Sequence, residues 1–238
     1  MATKSLTPLA CLAALLCVGA ASAQGKFDLT LSGGSFGHDE YGGFSLGYQQ
    51  MPSLRFVLRA NSTPFHTFDG NGFSLTYGGK DLEGMAYYRA HGTAHEEIGV
   101  GVSVADTPAR DRTAMGTFDL GWWTEDRQSR QLRIGFRGLV APDSLAMFSL
   151  RGTTPIRGPD WVLVGEFGVT AWGANTLSTR DGRSINETIE KVGLQFNPGD
   201  RLHFEADLTN QLGETTGYSM TPSLGNRFGF RLSVGVRF

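Results

Sequence analysis

Apolar and polar residues alternate without a break over the last eleven residues of the chain. One set comprises Phe228, Phe230, Leu232, Val234, Val236 and Phe238, and the intervening set comprises Gly229, Arg231, Ser233, Gly235 and Arg237. Because successive side chains of a β-strand point to opposite faces, this pattern predicts a strand with one apolar and one polar face. About ten residues is also the length of a tilted strand that crosses a bilayer.

The same alternation recurs along the chain, between segments rich in Gly, Pro, Asn and Asp. Thirteen runs are candidate strands: residues 27–32, 44–49, 54–59, 73–77, 84–91, 98–104, 117–122, 132–137, 148–151, 161–170, 192–196, 202–209 and 228–238. Turns are predicted at residues 50–52, 78–81, 106–108, 142–143 and 197–200. The pattern predicts an all-β fold. A soluble secreted β-sandwich is the alternative to a membrane barrel, because its strands alternate too.

The N-terminus has the features of a cleaved secretory signal peptide. Lys4 precedes a short apolar stretch at residues 9–18, and Ala21-Ser22-Ala23 is suited to cleavage before Gln24. We therefore expect residues 1–23 to be removed and residues 24–238 to form one domain. Both cysteines, Cys11 and Cys17, lie in the segment that would be removed, so the mature domain would contain no disulfide.

The alternating strand that stops on Phe238 resembles the C-terminal strand of bacterial outer-membrane β-barrels, where the terminal aromatic residue is part of the signal read by the insertion machinery. The resemblance implies a single antiparallel transmembrane β-barrel in the outer membrane, with both termini in the periplasm. Such barrels have even numbers of strands, so we expect about twelve, with ten or fourteen as alternatives. Outer-membrane lipid, the barrel-assembly machinery and periplasmic chaperones would be partners. The expected assembly signal comprises Phe228, Phe230, Leu232, Val234, Val236 and Phe238.

Three segments outside the clear strands carry separate expectations. Residues 61–72 and 211–226 are polar connections that we expect to face outward as tall loops, where partners bind. Residues 173–191 form either a short helix starting near Ser184 or a hairpin that turns at residues 180–183. Aromatic residues near predicted strand ends are expected to lie at the membrane interfaces: Tyr41, Tyr48, Tyr77, Trp122, Trp161 and Phe196.

If the apolar faces contact lipid, the polar faces line the lumen. The candidate lumen residues are Asp28, Arg55, Arg59, Asp119, Arg133, Arg137, Arg151, Glu166, His203, Glu205, Asp207, Arg227, Arg231 and Arg237. They could form the charged wall of a water-filled pore, in which arginines favour acidic solutes. Alternatively, opposite charges on neighbouring strands pair and fill the lumen. Charges of both signs argue against a strongly anion-selective channel.

Chemistry beyond transport has little support in the sequence. His203, Glu205 and Asp207 are the one cluster that resembles an acid/base site, with Ser233 as a distant candidate partner, and the polar segment 38–40 is explained equally well as a loop. We expect no catalytic residues, no cofactor and no metal. The net charge of −2 also excludes a polybasic nucleic-acid surface.

The favoured function is a porin-like channel for passive diffusion of small hydrophilic solutes. One alternative is a closed structural or adhesive barrel with a salt-bridged lumen. The other is an outer-membrane enzyme that modifies lipid or peptide.

Overall fold

A computed structural model describes residues 26–36, 39–70, 73–89, 95–107, 110–126, 128–140, 144–178, 180–223 and 225–238. Residues 39–40, 63–70, 73–80, 105–107 and 110–113 are described by their backbone alone. The predicted signal peptide, His38 and His91 lie outside the described residues.

Twelve antiparallel strands form a closed barrel, which confirms the predicted fold class and strand number. In order around the barrel they are β1 (Lys26–Phe36), β2 (Asp39–Met51), β3 (Leu54–Gly70), β4 (Phe73–Arg89), β5 (Glu96–Thr107), β6 (Arg110–Glu125), β7 (Gln131–Val140), β8 (Leu145–Arg157), β9 (Trp161–Trp172), β12 (Ile189–Phe196), β13 (Leu202–Thr209) and β14 (Gly229–Arg237). Two short strands, β10 (Thr176–Leu177) and β11 (Ser184–Ile185), pair separately. One helical turn, α1 (Thr216–Ser219), follows β13.

The barrel is apolar outside and polar inside. Large side chains on its outer surface are between 46% and 58% exposed at Leu31, Val100, Ile134, Leu150 and Leu232. Along β14 the pattern is strict, because buried Arg231 and Ser233 alternate with exposed Leu232 and Val234. This arrangement, typical of a barrel in lipid, argues against the soluble β-sandwich. No helix in the described residues is long and apolar enough to cross a membrane.

The first and last strands close the barrel. Strand β1 pairs with β14 from Asp28↔Arg237 to Ser35↔Phe230. The backbone N–H of Phe238 donates to the carbonyl of Phe27 at 2.8 Å, so the terminal aromatic residue is held in the closing seam. Lys26, the first described residue, and Phe238 therefore lie at the same rim, which we call the terminal end, and the opposite rim is the far end.

The thirteenth candidate strand arises from one strand counted twice. The predicted runs 73–77 and 84–91 both belong to β4, and the turn predicted at residues 78–81 does not form. Similarly, residues 61–70 extend β3 rather than forming a loop. Glycines and polar residues that would suit a turn are tolerated here because β3 and β4 pair with each other over most of their length.

The region between β9 and β12 folds as the hairpin alternative, not as a helix. Strands β10 and β11 pair as Thr176↔Ile185 and Leu177↔Ser184, and the chain turns at residues 180–183. Asn175 closes the base of this hairpin, because its side chain bonds both the N–H and the carbonyl of Glu187. Cross-strand bonds thus outweigh the helix-start signal at Ser184.

Stacked aromatic pairs lie at the terminal end of the outer wall. Phe27 and Tyr48 stack with their ring centres 4.6 Å apart, and Trp161 and Phe196 stack at 4.5 Å. Tyr41 departs from the prediction, because it is 5% exposed and packs against Phe36 on the inner face of the wall. Tyr77 has no described side chain.

Candidate functional site

Residues 210–223, here called the plug segment, lie inside the barrel. They connect β13 to the approach of β14, and the side chains of Asn210, Thr215, Tyr218 and Met220 are completely buried. The helical turn α1 contacts β4, β5, β6 and β7, which lie across the lumen from β14. The expectation that this connection faces outward as a tall loop is therefore wrong, since its many small polar residues instead bond to the polar inner wall.

The plug segment bonds to the wall of β3 and β4. The backbone N–H of Thr216 donates to both carboxylate oxygens of Glu83, at 3.1 and 3.2 Å. The hydroxyl of Thr215 donates to Asp81 and accepts the side-chain amide of Asn61 at 2.9 Å. Two buried carboxylates on β4 thus accept hydrogen bonds from the plug segment as well as from the barrel wall.

Gly213 allows the close approach to β3 that these bonds require. A Cβ atom at Gly213 would lie 2.6 Å from the side-chain amide nitrogen of Asn61. Any larger residue would therefore displace either the plug segment or Asn61.

Two arginines, one on β14 and one on β7, also hold the plug segment. Arg231 donates to the carboxylate of Glu214 at 2.8 Å and forms a forked pair with Asp207 at 3.0 Å. Arg137 donates to the hydroxyl of Ser219 at 3.1 Å and to the carboxylate of Glu166 at 3.0 Å. Each arginine therefore bonds both to the plug segment and to a carboxylate of the barrel wall.

An apolar cluster completes the packing. Met220 of the plug segment contacts fully buried residues of the inner wall: Met115, Leu139, Leu145, Met147 and Ile189. Leu212 and Tyr218 form a second cluster within the segment itself. Together with the hydrogen bonds between the plug segment and the wall, these apolar side chains leave little room for solvent in the far half of the lumen.

The other half of the lumen is open towards the terminal end. A cavity of about 1210 Å³ is lined by charged and polar side chains that include Arg55, Arg89, Arg133, Arg151 and Arg237. A second cavity of about 640 Å³ shares Arg55, Arg89 and Arg237 with it. A third, of about 290 Å³, extends to Glu214 and Arg231 beneath the plug segment. Arg55 borders all three cavities.

Most charged side chains of the inner wall are paired. Arg55 bonds Asp28 at 2.9 Å, and Arg59 bonds Glu83 at 3.1 Å. Lys191 contacts Glu205, which is 6% exposed. Arg151 differs, because no ion pair or hydrogen bond joins it to any other described residue.

The structure places twelve of the fourteen predicted lumen residues on barrel strands with buried or half-buried side chains. They are Asp28, Arg55, Arg59, Asp119, Arg133, Arg137, Arg151, Glu166, His203, Glu205, Asp207 and Arg231. Arg227 precedes β14 and is exposed at the far end, so it does not line the lumen. Of the predicted assembly signal, Phe228, Phe230, Leu232, Val234 and Phe238 are exposed on the outer surface and Val236 is half-buried.

Sequence reasoning missed several inner-wall charges. Asp81, Glu83 and Arg89 lie on one face of β4, and their spacing of two could have found them. They were overlooked because β4 was divided by a predicted turn. Lys191 was missed because the predicted strand began at residue 192, whereas β12 begins at Ile189.

His203 has the surroundings of a structural residue. Its Nδ1 lies 2.9 Å from the side-chain oxygen of Asn197, and its Nε2 lies 3.7 Å from Glu205. Ser233 pairs across the strands with Glu205 rather than with His203. Within the described part of the chain, no group of three or more His, Asp or Glu residues is arranged to hold a metal ion.

The turn between β6 and β7 has an ordered carboxylate at the terminal end. The carboxylate of Asp126 accepts three hydrogen bonds. Two come from the backbone N–H groups of Arg130 and Gln128, each at 2.9 Å, and the third comes from the guanidinium of Arg130 at 2.6 Å. These hydrogen bonds, led by the Arg130 backbone, lower the pKa of Asp126 below its ordinary value.

No family model matches the chain, and no curated protein matches it. Among solved structures it is similar to the NanC porin, with 11% identity and a TM-score of 0.55, over 88% of this chain and 98% of that one. It is also similar to an outer membrane channel from Pseudomonas putida F1, with 12% identity and a TM-score of 0.55, over 91% of this chain and 96% of that one. The chain has the fold of outer-membrane β-barrels.

Proposed function

We propose that this protein is an outer-membrane channel for the diffusion of small hydrophilic solutes, with its terminal end facing the periplasm. The observation that carries the proposal is a set of cavities with charged walls, open at the terminal end, inside a barrel whose outer surface is apolar. A barrel interior of this kind conducts when water and solutes can pass along it. The two similar structures are a porin and a channel, which supports the proposal.

The plug segment sets the resistance of this channel. It fills the far half of the lumen, so solutes must pass between it and the wall, or pass when it moves. We therefore expect small and intermittent current steps rather than the steady current of an open barrel. Its contacts with both walls also favour a second candidate function, a closed barrel in which the segment never moves and no solute passes.

Conductance measurements on a variant whose plug segment can be cross-linked to the wall distinguish the channel from the closed barrel. The side chains of Asp81 and Thr215 are in contact, so the D81C/T215C variant puts one cysteine on the wall and one on the plug segment, and thiol titration of the oxidised protein verifies that the disulfide forms. Both native cysteines lie in the predicted signal peptide, so the engineered pair would be the only cysteines in the cleaved chain. Planar bilayers containing wild-type protein should give discrete current steps. Oxidation of the variant should suppress these steps, and reduction should restore them.

The single variants D81C and T215C are the matched controls, because neither can form the disulfide. Folding is checked by the shift in gel mobility on boiling. Absence of current steps from folded wild-type protein and from the reduced variant would reject the channel in favour of the closed barrel.

A further inference from the structure

We propose that Arg133 and Arg151 form a binding site for the carboxylate or phosphate group of a small solute in the open half of the lumen. This inference rests on the proposed channel function and names the class of solute that the channel takes. It does not follow from the number of arginines, because most of them are neutralised by neighbouring carboxylates.

The register places two like charges side by side. Arg133 on β7 and Arg151 on β8 are directly opposite each other, and both side chains border the cavity of about 1210 Å³. Directly opposed like charges destabilise a sheet. An anion bound between the two guanidinium groups would turn this repulsion into two attractive contacts.

Neither arginine is fully satisfied by its neighbours. Arg133 lies 3.4 Å from Asp119 and 3.9 Å from Glu97, and its buried Nε atom has no hydrogen-bond partner among the described residues. Glu97 is shared, since it also lies 3.8 Å from Arg89. Arg151 is opposite Glu166 on β9, yet no hydrogen bond or ion pair joins Arg151 to any residue in the described ranges. The two guanidinium groups therefore have more N–H donors than the neighbouring described residues accept.

The residues around the two arginines add positive charge, and the cavity has room for a small solute. Arg55, Arg89 and Arg237 border the same cavity, whereas its lining carboxylates are Glu97 and Glu125. Arg89 is itself held in place, because its guanidinium lies 5.0 Å from the ring centre of Trp123. The volume of about 1210 Å³ slightly exceeds the roughly 300–1,000 Å³ typical of small-molecule sites, which leaves space for a small solute and its water.

The chemistry of the guanidinium defines the ligand. Its planar N–H donors match the two oxygens of a carboxylate or phosphate, and they bind such groups in a forked geometry. A neutral sugar offers no oxygen of comparable charge. We therefore expect acidic solutes to dwell in the lumen longer than neutral solutes of equal size.

Calorimetric titration of purified protein in detergent tests the site without a membrane. The probes are inorganic phosphate and succinate, each added at constant ionic strength against a chloride background. Wild-type protein should bind at least one of them saturably. R133Q and R151Q should each weaken this binding about tenfold or more, because each removes a charge-assisted hydrogen bond. Whichever probe binds more tightly identifies the preferred group.

R157Q is the matched control, because Arg157 is exposed at the end of the same strand as Arg151 and lies outside the cavity lining. It should bind the probe as wild-type protein does. Equal weakening by R157Q, or no saturable binding of either probe to folded protein, would overturn the site. A barrel that conducts but does not bind rejects only the site, and one that binds but does not conduct rejects only the channel.

Discussion

The polar groups of the inner wall are satisfied differently in the two halves of the lumen. In the far half, polar wall residues such as Asp81 and Glu83 bond to backbone and hydroxyl groups of the plug segment. In the terminal half, Arg133 and Arg151 face each other across neighbouring strands and border an open cavity. A barrel interior must satisfy its polar groups, and it can do so with inserted chain or with water and solute. The comparison suggests that the far half controls passage and the terminal half selects what passes.

Removing the plug segment should have the largest effect. Replacement of residues 212–221 by Gly-Ser-Gly leaves the wall-binding Asn210 in place and removes the contacts that occupy the far half. We expect single-channel conductance in planar bilayers to rise several-fold, because a barrel of twelve strands encloses a water-filled space once it is emptied. An unchanged conductance from folded protein would mean that the far half is not the main resistance.

Buried carboxylates in the two halves should differ in their contribution to stability. Glu83→Ala leaves Arg59 and the N–H of Thr216 without their partner, so we expect a loss of about 3–5 kcal/mol in the free energy of unfolding. Glu97→Ala removes only the long contacts with Arg89 and Arg133, and we expect a loss of about 1 kcal/mol or less. Guanidinium-induced unfolding in lipid vesicles measures both values. Equal losses would contradict the distinction between the halves.

Arg151→Gln should change selectivity without changing stability. Because no described residue is bonded to Arg151, we expect the free energy of unfolding to stay within about 0.5 kcal/mol of the wild-type value. The loss of one positive charge at the cavity should lower the ratio of anion to cation permeability, measured as the reversal potential in a salt gradient. R157Q provides the reference, and a shift of the same size there would assign the effect to general surface charge.

The smallest effect is expected at the turn that carries Asp126. Its pKa is lowered in the folded protein, so the carboxylate stabilises the fold above its ordinary pKa, and this contribution is lost as the pH falls through the lowered value. Asp126→Asn should therefore lower the thermal unfolding midpoint slightly at neutral pH, and the difference from wild type should vanish in acid. A difference that persists at pH 2 would point to a packing effect instead.

Particular residues explain how much of this could be predicted. The alternation of Leu232 and Val234 with Arg231 and Ser233 repeats every two residues, so local sequence alone determines which face is apolar. The division of β4 by a predicted turn shows the limit, because Gly78 and Gly79 suit a turn in isolation but lie within a strand here, where Gly79 pairs with Thr63. Pairing partners lie far apart in sequence and cannot be read from one segment.

The candidate site shows the same limit more strongly. The inward faces of β7 and β8 were predicted, but only their register reveals that Arg133 and Arg151 are opposed. The plug segment was expected outside, since its Gly, Thr and Ser residues are those of an exposed loop. Its bonds to Asn61 and Asp81 join residues more than 130 positions apart.

The sequence by itself determined that this chain forms strands with one apolar and one polar face, about twelve of them, ending on Phe238. These features are local, because the direction of each side chain follows from the geometry of a single strand. Only the tertiary structure decided that residues 210–223 turn inward and that Arg151, in the open half, has no ion pair among the described residues. Both features depend on which polar side chains come close enough to bond across the lumen. The closure of the barrel sets these contacts, and no single segment of the sequence does.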